Sequence, residues 1–408
     1  MKFIQPRQKI YSFGILDTLI ILFKKIDKKK INQYFEKIFI SKNYLILSQG
    51  RVGIYLAVKS IVNKKKREII LSPFTVFEVV NMVKSAGGVP VFADLKFPNT
   101  ELNINEIKNK ISKKTAGVIF TQYHGYNSNI QKISILLKKK KIPLIEDSAI
   151  TYGCDKKNYS DVKIYSFNIT KFVSCISGGA IIVPKNELLY KKILNEKKIL
   201  NSNNFLFLLQ KFFRATKIHF FTNYFIFNLF TKFIIRISVL KNYNLLKDLT
   251  RNDPKPATYN YFPEKYRTKV TNFQIKEIYT KLKRYNHKKN QKIRFENYYT
   301  YQKNLSNIKH LHINLLKKNI KHGCLFFPIF YKKRNDLYSY LIKNNLDISK
   351  YYYRDSSNMK IFENLKGKCK NSKRLCDEVI VLPTYPSYGK EHVMKNIITI
   401  RKFFKKLK

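Results

Sequence analysis

From Tyr44 to Asp147 the chain alternates between short runs of branched and aromatic residues and longer stretches with helical spacing. The runs Y-L-I-L (44–47), R-E-I-I-L (67–71), G-V-P-V-F-A-D-L (88–95), A-G-V-I-F-T (116–121) and I-P-L-I-E-D (142–147) have the length and composition of strands. Helical patterns fill the gaps: I-Y-L-A-V-K-S-I-V (54–62), a helix through Val83, one over Asn103–Lys110 and one over Asn129–Lys140. Strands that each return through a helix pair in parallel, so a mainly parallel sheet with helices on both faces is expected. Ligands of such sheets sit beyond the carboxyl ends of the strands. Asp147 and Asp94 both stand at such ends. Asp94 has no accompanying motif and reads as a cap or turn residue.

At 408 residues two domains are expected. Residues 1–40 read as an amphipathic helical arm, 41–255 as a large α/β domain, and 256–408 as a smaller C-terminal α+β domain. Asp253-Pro254-Lys255-Pro256 marks the linker between the last two. After it, the stretch from Arg267 to Tyr298 reads as one long helix, with Phe273, Ile275, Ile278, Leu282 and Tyr285 on its apolar face. Residues 205–240 interleave aromatics with Lys211, Arg214, Lys217, Lys232 and Arg236. Their uncharged run, Ile218–Thr231, is shorter than the roughly 20 residues a membrane span requires. Burial in a core or dimer interface is the plain account of this segment, and interfacial membrane contact the sharper one.

Lys and Arg number 80 against 26 Asp and Glu, a formal charge of +54. Such an excess suits nucleic acid or an anionic membrane surface. The lysines are spread along the whole chain, however, beside abundant Asn, Ile, Tyr and Phe. That reads as compositional drift with a secondary attraction for anionic substrates, and nucleic-acid binding is not the expected role. Five cysteines with no CxxC spacing suggest reduced thiols in a cytoplasmic compartment. The apolar run Tyr11–Phe23 is broken by Asp17 and followed by no small-residue cleavage site, so a signal peptide is not expected. His310 and His312 share a strand face without an acidic or cysteine partner, and no metal site is expected.

One combination carries chemistry. E-D-S-A (146–149) is followed by S-F-N-I-T-K (166–171) and G-G-A-I (178–181). Upstream, Gln49-Gly50-Arg51-Val52-Gly53 turns from a strand into a helix, where free N–H groups and the helix dipole can take a phosphate. Lys171 alone would read as a solvated turn residue. Together with a strand-end carboxylate and a nearby hydroxyl it matches what pyridoxal phosphate needs. Those needs are an amine that reaches its neutral form, a carboxylate that keeps the pyridine nitrogen protonated, and donors for the phosphate.

The ordered series resembles the DegT/DnrJ-type sugar aminotransferases, a fold type I pyridoxal-phosphate-dependent family. Its pattern runs E-D-x-A, G-D, S-F-x-x-[ST]-K, G-G, with Ser160-Asp161 in the G-D place. L-S-Q-G-R-V-G-I-Y-L-A, S-P-F-T with G-V-P-V-F-A-D-L, V-T-N-F-Q with K-I-R-F-E-N-Y, and V-L-P-T-Y-P extend the resemblance over about residues 40 to 400. It implies a large domain with a mainly parallel sheet and a smaller α+β domain. It also implies conversion of a nucleotide-linked keto-sugar to an amino-sugar for polysaccharide or glycan synthesis, with glutamate as donor. By the same resemblance, Lys171 is the Schiff-base lysine and proton carrier, Asp147 pairs with the pyridine nitrogen, and Ser166 with Gly50, Arg51 and Val52 binds the phosphate. A homodimer is implied, with Arg267 near the position that reaches the partner's phosphate. His124 and Gly125 border the site without an assigned role.

Three residues depart from the family pattern. Ile150 stands where Gln or His often contacts the cofactor's phenolic oxygen, and Arg51 replaces a threonine. Val76 stands where an aromatic often stacks on the ring, with Phe77 or Phe74 as substitutes. They motivate one competing reading, a catalytically impaired relative acting as a binding or partner subunit. The basic charge motivates another, a nucleic-acid or membrane-surface binder.

Overall fold

Helices α1 (Ile15–Phe23) and α2 (Lys28–Phe39) precede a seven-stranded sheet. Its strands are β1 (Tyr44–Leu47), β2 (Glu68–Leu71), β3 (Val89–Phe92), β4 (Thr115–Thr121), β5 (Leu144–Asp147), β6 (Val162–Ser166) and β7 (Gly179–Ile182). The order is β1-β7-β6-β5-β4-β2-β3. All neighbours pair in parallel except β7, which is antiparallel to both β1 and β6. The computed structural model describes residues 5–6, 14–123, 129–153, 158–203, 205–240, 257–316, 323–350, 354–365, 367 and 369–407.

The central strands are buried on both faces, as their continuous Ile/Val/Leu runs require. On one face α3 (Gly50–Ile61) is buried nearly all round, against α4 (Phe77–Ser85). On the other, Val118, Phe120 and Leu144 meet Ile130, Ile133 and Leu137. Those last three belong to α6 (Ile130–Lys139), which follows the short α5 (Ile104–Lys110). The expected helices at 103–110 and 129–140 are therefore present, and Asn103 caps the first through its side chain. Asp94 is indeed a cap, but of a distant element. Its carboxylate accepts the backbone N–H groups of Asn371 and Ser372, at 2.9 Å each.

Beyond the sheet come α7 (Glu187–Glu196), α8 (Phe205–Phe221) and a second helical run that starts at Tyr224–Ile226, passes a π-helical turn at Phe227–Thr231 and continues as α9 (Lys232–Leu240). The long helix expected from Arg267 to Tyr298 is two: α10 (Asn272–Arg284) and α11 (His287–Leu305). Asn286 breaks it, because its side chain caps Lys289 N–H at 3.0 Å and so starts a new helix. The break sends the two halves to different cores. Ile278 and Leu282 pack with Ile46, Phe167 and Ala180 of the large sheet. Tyr298, Tyr301 and Leu305 pack on a second sheet. That sheet is antiparallel, ordered β8 (His312–Ile313), β9 (Phe326–Phe330), β10 (Val379–Pro383). It is covered by α11, α12 (Arg334–Lys343) and α14 (Lys390–Lys405), with α13 (Lys370–Glu378) leading into β10.

Candidate active site

The site is built where the carboxyl ends of β5 and β6 meet the N-terminus of α3. Strand alternation sends Glu146 and Asp147 to opposite faces. Glu146 is structural: it accepts from Ser148 Oγ (2.7 Å), Ser160 Oγ (2.9 Å) and Gln122, and pairs with Lys163 at 3.2 Å. Asp147 is buried and, among the described residues, accepts one hydrogen bond, from the Ala149 N–H at 3.1 Å. Burial pushes its carboxyl above the usual carboxylate range; Lys171 and the Ala149 N–H oppose that rise. Lys171 lies in the loop between β6 and β7, and among the described residues its amine has no hydrogen-bonding partner. Burial lowers its pKa below the ordinary lysine value of 10.5, and the Arg51 charge lowers it further, while Asp147 pulls the other way. A half-buried lysine with an accessible neutral form, coupled to a buried carboxylate, is an arrangement for carbonyl chemistry.

The glycine turn abuts Ser166. A Cβ on Gly50 would stand 2.9 Å from Ser166 Cβ and 3.1 Å from Tyr165 O. A Cβ on Gly179 would stand 2.5 Å from Gly50 Cα, so only glycine lets β7 approach the helix start this closely. Gly179 faces Ser166 on one side and Leu47 on the other. The helix start, the Ser166 hydroxyl and the buried, unpartnered side-chain nitrogen of Gln49 thus lie close along the chain and in space.

A network from α10 holds these loops. Gln274 is buried and donates to Ser48 O (3.2 Å) and Ser177 O (3.1 Å), bridging the glycine turn to the Gly178-Gly179 segment. Thr271 and Gln274 form a capping box. Glu277 accepts the Ile176 N–H at 3.1 Å and pairs with Lys281 at 3.0 Å, and Lys281 donates to Ser174 O at 2.9 Å. Burial raises the Glu277 carboxyl, against the pull of Lys281. The loop from Lys171 to Ile176 is therefore pinned by a buried ion pair, and the sequence analysis singled out neither Glu277 nor Lys281. The available signal was their stripe: positions 274, 277, 278 and 281 share one helix face with Ile278.

The departures have local explanations. The Arg51 guanidinium turns to Glu78 and to the Tyr266 hydroxyl, 3.1 Å each, and stacks on the Tyr266 ring at 5.1 Å. What position 51 presents at the turn is a backbone N–H, with Val52 beside it donating to Gln49 O at 3.3 Å. Ile150 packs with Phe172 and Leu325, while Arg294 covers the Phe172 ring at 4.7 Å. Val76 is 46% exposed, whereas Phe74 and Phe77 are buried in the core. Arg267 donates to Phe262 O at 3.1 Å, and among the described residues it touches none of Lys171, Asp147 and Ser166 within its own chain. His124 and Gly125 lie outside the described residues.

The sheet order, with one antiparallel strand beside the edge and a lysine loop past the carboxyl ends, defines a class: the fold type I pyridoxal-phosphate-dependent transferases. The crystal structure of the aminotransferase TlmJ from Streptoalloteichus hindustanus has this fold, with a TM-score of 0.73, 14% identity and full coverage of both chains. That of ntda from Bacillus subtilis, with bound cofactor pmp, has a TM-score of 0.70 and 18% identity, covering 96% of this chain and 81% of that one. The chain belongs to the DegT/DnrJ/EryC1/StrS aminotransferase family, whose model matches residues 26–202 and 243–401. GDP-perosamine synthase of Escherichia coli O157:H7 is 26% identical over 174 residues. The chain spans about half the length of such curated relatives: the match covers 48% of that synthase and 40% of this chain.

Enzymes of this family depend on pyridoxal phosphate, and the residues present fit it. Asp147 has acceptor capacity left for a pyridinium N–H. The Ser166 hydroxyl, without a partner among the described residues, lies against a helix start. Lys171 offers an amine of lowered basicity.

Proposed function

We propose that this protein is a pyridoxal-phosphate-dependent aminotransferase that converts a nucleotide-linked keto-sugar to an amino-sugar for polysaccharide or glycan synthesis, with glutamate as donor. The observation that carries the reading is the half-buried Lys171 amine, its pKa lowered by desolvation, whose charge interacts with the buried Asp147 carboxylate. The sugar substrate rests on family membership and on the name of the E. coli relative.

When bound, the cofactor supplies an electron sink for the pair left by a departing Cα proton. Lys171 anchors it through the amine and, once released, carries the proton between donor Cα and cofactor. Asp147 holds the pyridine nitrogen protonated. Ser166 and the Gly50–Arg51–Val52 turn, through the backbone N–H groups of Gly50 and Arg51, take the phosphate. The Glu277–Lys281 pair keeps the loop in register so that the lysine returns to one position.

A homodimer belongs to the same reading, with Arg267 reaching the partner's phosphate. So do a cytoplasmic location, supported by the four described cysteines all being free, and peripheral membrane contact through 205–240. Adding cofactor to the purified protein should produce an absorbance band at about 400–430 nm. Lys171→Ala should abolish the band and glutamate should bleach it. A protein that never gains the band is not an aminotransferase. A second reading, a cofactor-binding relative impaired in turnover, is favoured by Val76 and Ile150, which offer no ring-stacking aromatic and no hydrogen-bond donor. It predicts a band that glutamate leaves unchanged. Light scattering should give twice 48.5 kDa, and a monomer would remove Arg267 from the site.

A further inference from the structure

Two apolar elements lie outside the stretches matched by the family model. α1 precedes residue 26, and the pair α8 and α9 falls between 202 and 243. α1 and α8 nevertheless rest on α10, while α9 packs by α12. α1 is held by the Asp17–Arg284 ion pair and by Lys276 Nζ donating to Leu22 O at 3.5 Å. α8 packs Leu208, Phe212 and Ala215 with Phe273 of α10 and with Ile169 and Ile176, which flank Lys171.

Each element leaves a second apolar side in solvent. Phe23 on α1 is 80% exposed; Leu206 on α8 is 71%, and Phe225 and Phe230, in the helical segment that joins α8 to α9, are 63% and 64% exposed. Single exposed apolar residues are ordinary. Clusters of them on two elements anchored to one helix mark an interaction surface.

Charge selects the occupant. No acidic residue occurs from Lys197 to Lys247. Lys217 and Arg236 are exposed among the aromatics and Lys211 and Arg214 half-buried, while Lys232 is buried. The one acid of α1, Asp17, is engaged by Arg284. A second copy meeting this face about a two-fold axis would bring its exposed cations against their own copies. An anionic bilayer offers the opposite charge together with an apolar boundary. The shape agrees. Among the described residues no single helix is long and apolar enough to cross a membrane, and the pair bends by 63° between Phe221 and Tyr224. The two helical runs together have the length and composition of a broken span, but Arg214, Lys217 and Arg236 within them favour a surface over a crossing.

We propose that α1 and the α8–α9 pair form one composite face that docks on an anionic bilayer. Its aromatic side chains enter the boundary between headgroups and acyl chains, and its lysines and arginines meet lipid phosphates. This rests on the membrane contact of 205–240 and deepens it. It adds α1, makes lipid charge the determinant, and ties the docked element to the loop that carries Lys171.

Flotation of the full chain, loaded with pyridoxal phosphate, is the test. Vesicles of phosphatidylcholine are compared with vesicles that also contain phosphatidylglycerol. Binding is expected only with phosphatidylglycerol and should be reversed by high salt. Phe225→Ser/Phe230→Ser and Leu16→Ser/Ile20→Ser should each weaken it by about tenfold or more, with the cofactor band and the molecular mass unchanged. Wild-type protein that ignores the anionic vesicles overturns both the composite face and the 205–240 contact. A loss confined to the 225/230 variant overturns the composite face and leaves that contact standing. Variants that convert a dimer to a monomer assign the face to a second copy and overturn the proposal. Failure of the amination reading gives a different result: no cofactor band, with vesicle binding intact.

Discussion

Lys171 is set between two opposing charges, and each has a consequence that can be measured. Its pKa lies below 10.5 because burial and Arg51 disfavour the ammonium, while Asp147 favours it. The neutral amine, which attacks the cofactor's aldehyde, therefore accumulates as pH rises through that lowered value. The rate of cofactor attachment, followed by stopped-flow absorbance, should inflect below pH 10.5. Arg51→Gln should move the inflection up and Asp147→Asn should move it down. An inflection at or above 10.5 in the wild type would remove the electrostatic account. The neighbouring buried pair gives a stability prediction. Lys281→Met leaves Glu277 as a charge without its cation, which costs about 3–5 kcal/mol, read as a fall in the urea midpoint. An unchanged midpoint would mean that Glu277 is neutral in the fold.

Among the elements, the contact of α3 with β6 and β7 is the tightest constraint on the site. Gly179→Ala places a methyl group against the Gly50 backbone at 2.5 Å, so strand or helix must shift. A loss of about 1–3 kcal/mol is expected, together with weaker cofactor retention on dialysis, because the shifted helix start is the proposed phosphate cradle. Retention equal to wild type would place the phosphate elsewhere. The capping box of α10 predicts a smaller effect. Thr271→Ala should cost about 1 kcal/mol, lowering the urea midpoint without changing the slope. Much at this scale was legible in the sequence. Strands β1 to β5 read as apolar runs and Asp147 was placed at a strand end, whereas β6, with Lys163 and Ser166 in it, was not read as a strand. The break at Tyr285 and Asn286 was not legible, since apolar periodicity continued across it and only the capping role of Asn286 marks the new start.

The whole molecule carries +54, and its self-repulsion is a property of the sum rather than of any site. Salt screens it over about 10 Å at 0.1 M, so the melting temperature should rise as salt is added from a low-salt buffer. A melting temperature that falls with salt would mean that local ion pairs such as Glu277–Lys281 outweigh the net repulsion. The residues themselves determined the alternation of strands and helices, the order of the lysine, aspartate, serine and glycine motifs, and the family resemblance. Each of these depends on neighbours within one element or one turn. The tertiary structure alone decided that Arg51 turns to Glu78 and Tyr266, and that Gln274, Glu277 and Lys281 are buried supports of the lysine loop. It also decided that α1 and α8 meet on α10. These outcomes depend on which faces the folded chain brings together across separations such as the 215 residues from Arg51 to Tyr266. The local pattern of charged and apolar residues is the same whether such a face meets water or the core.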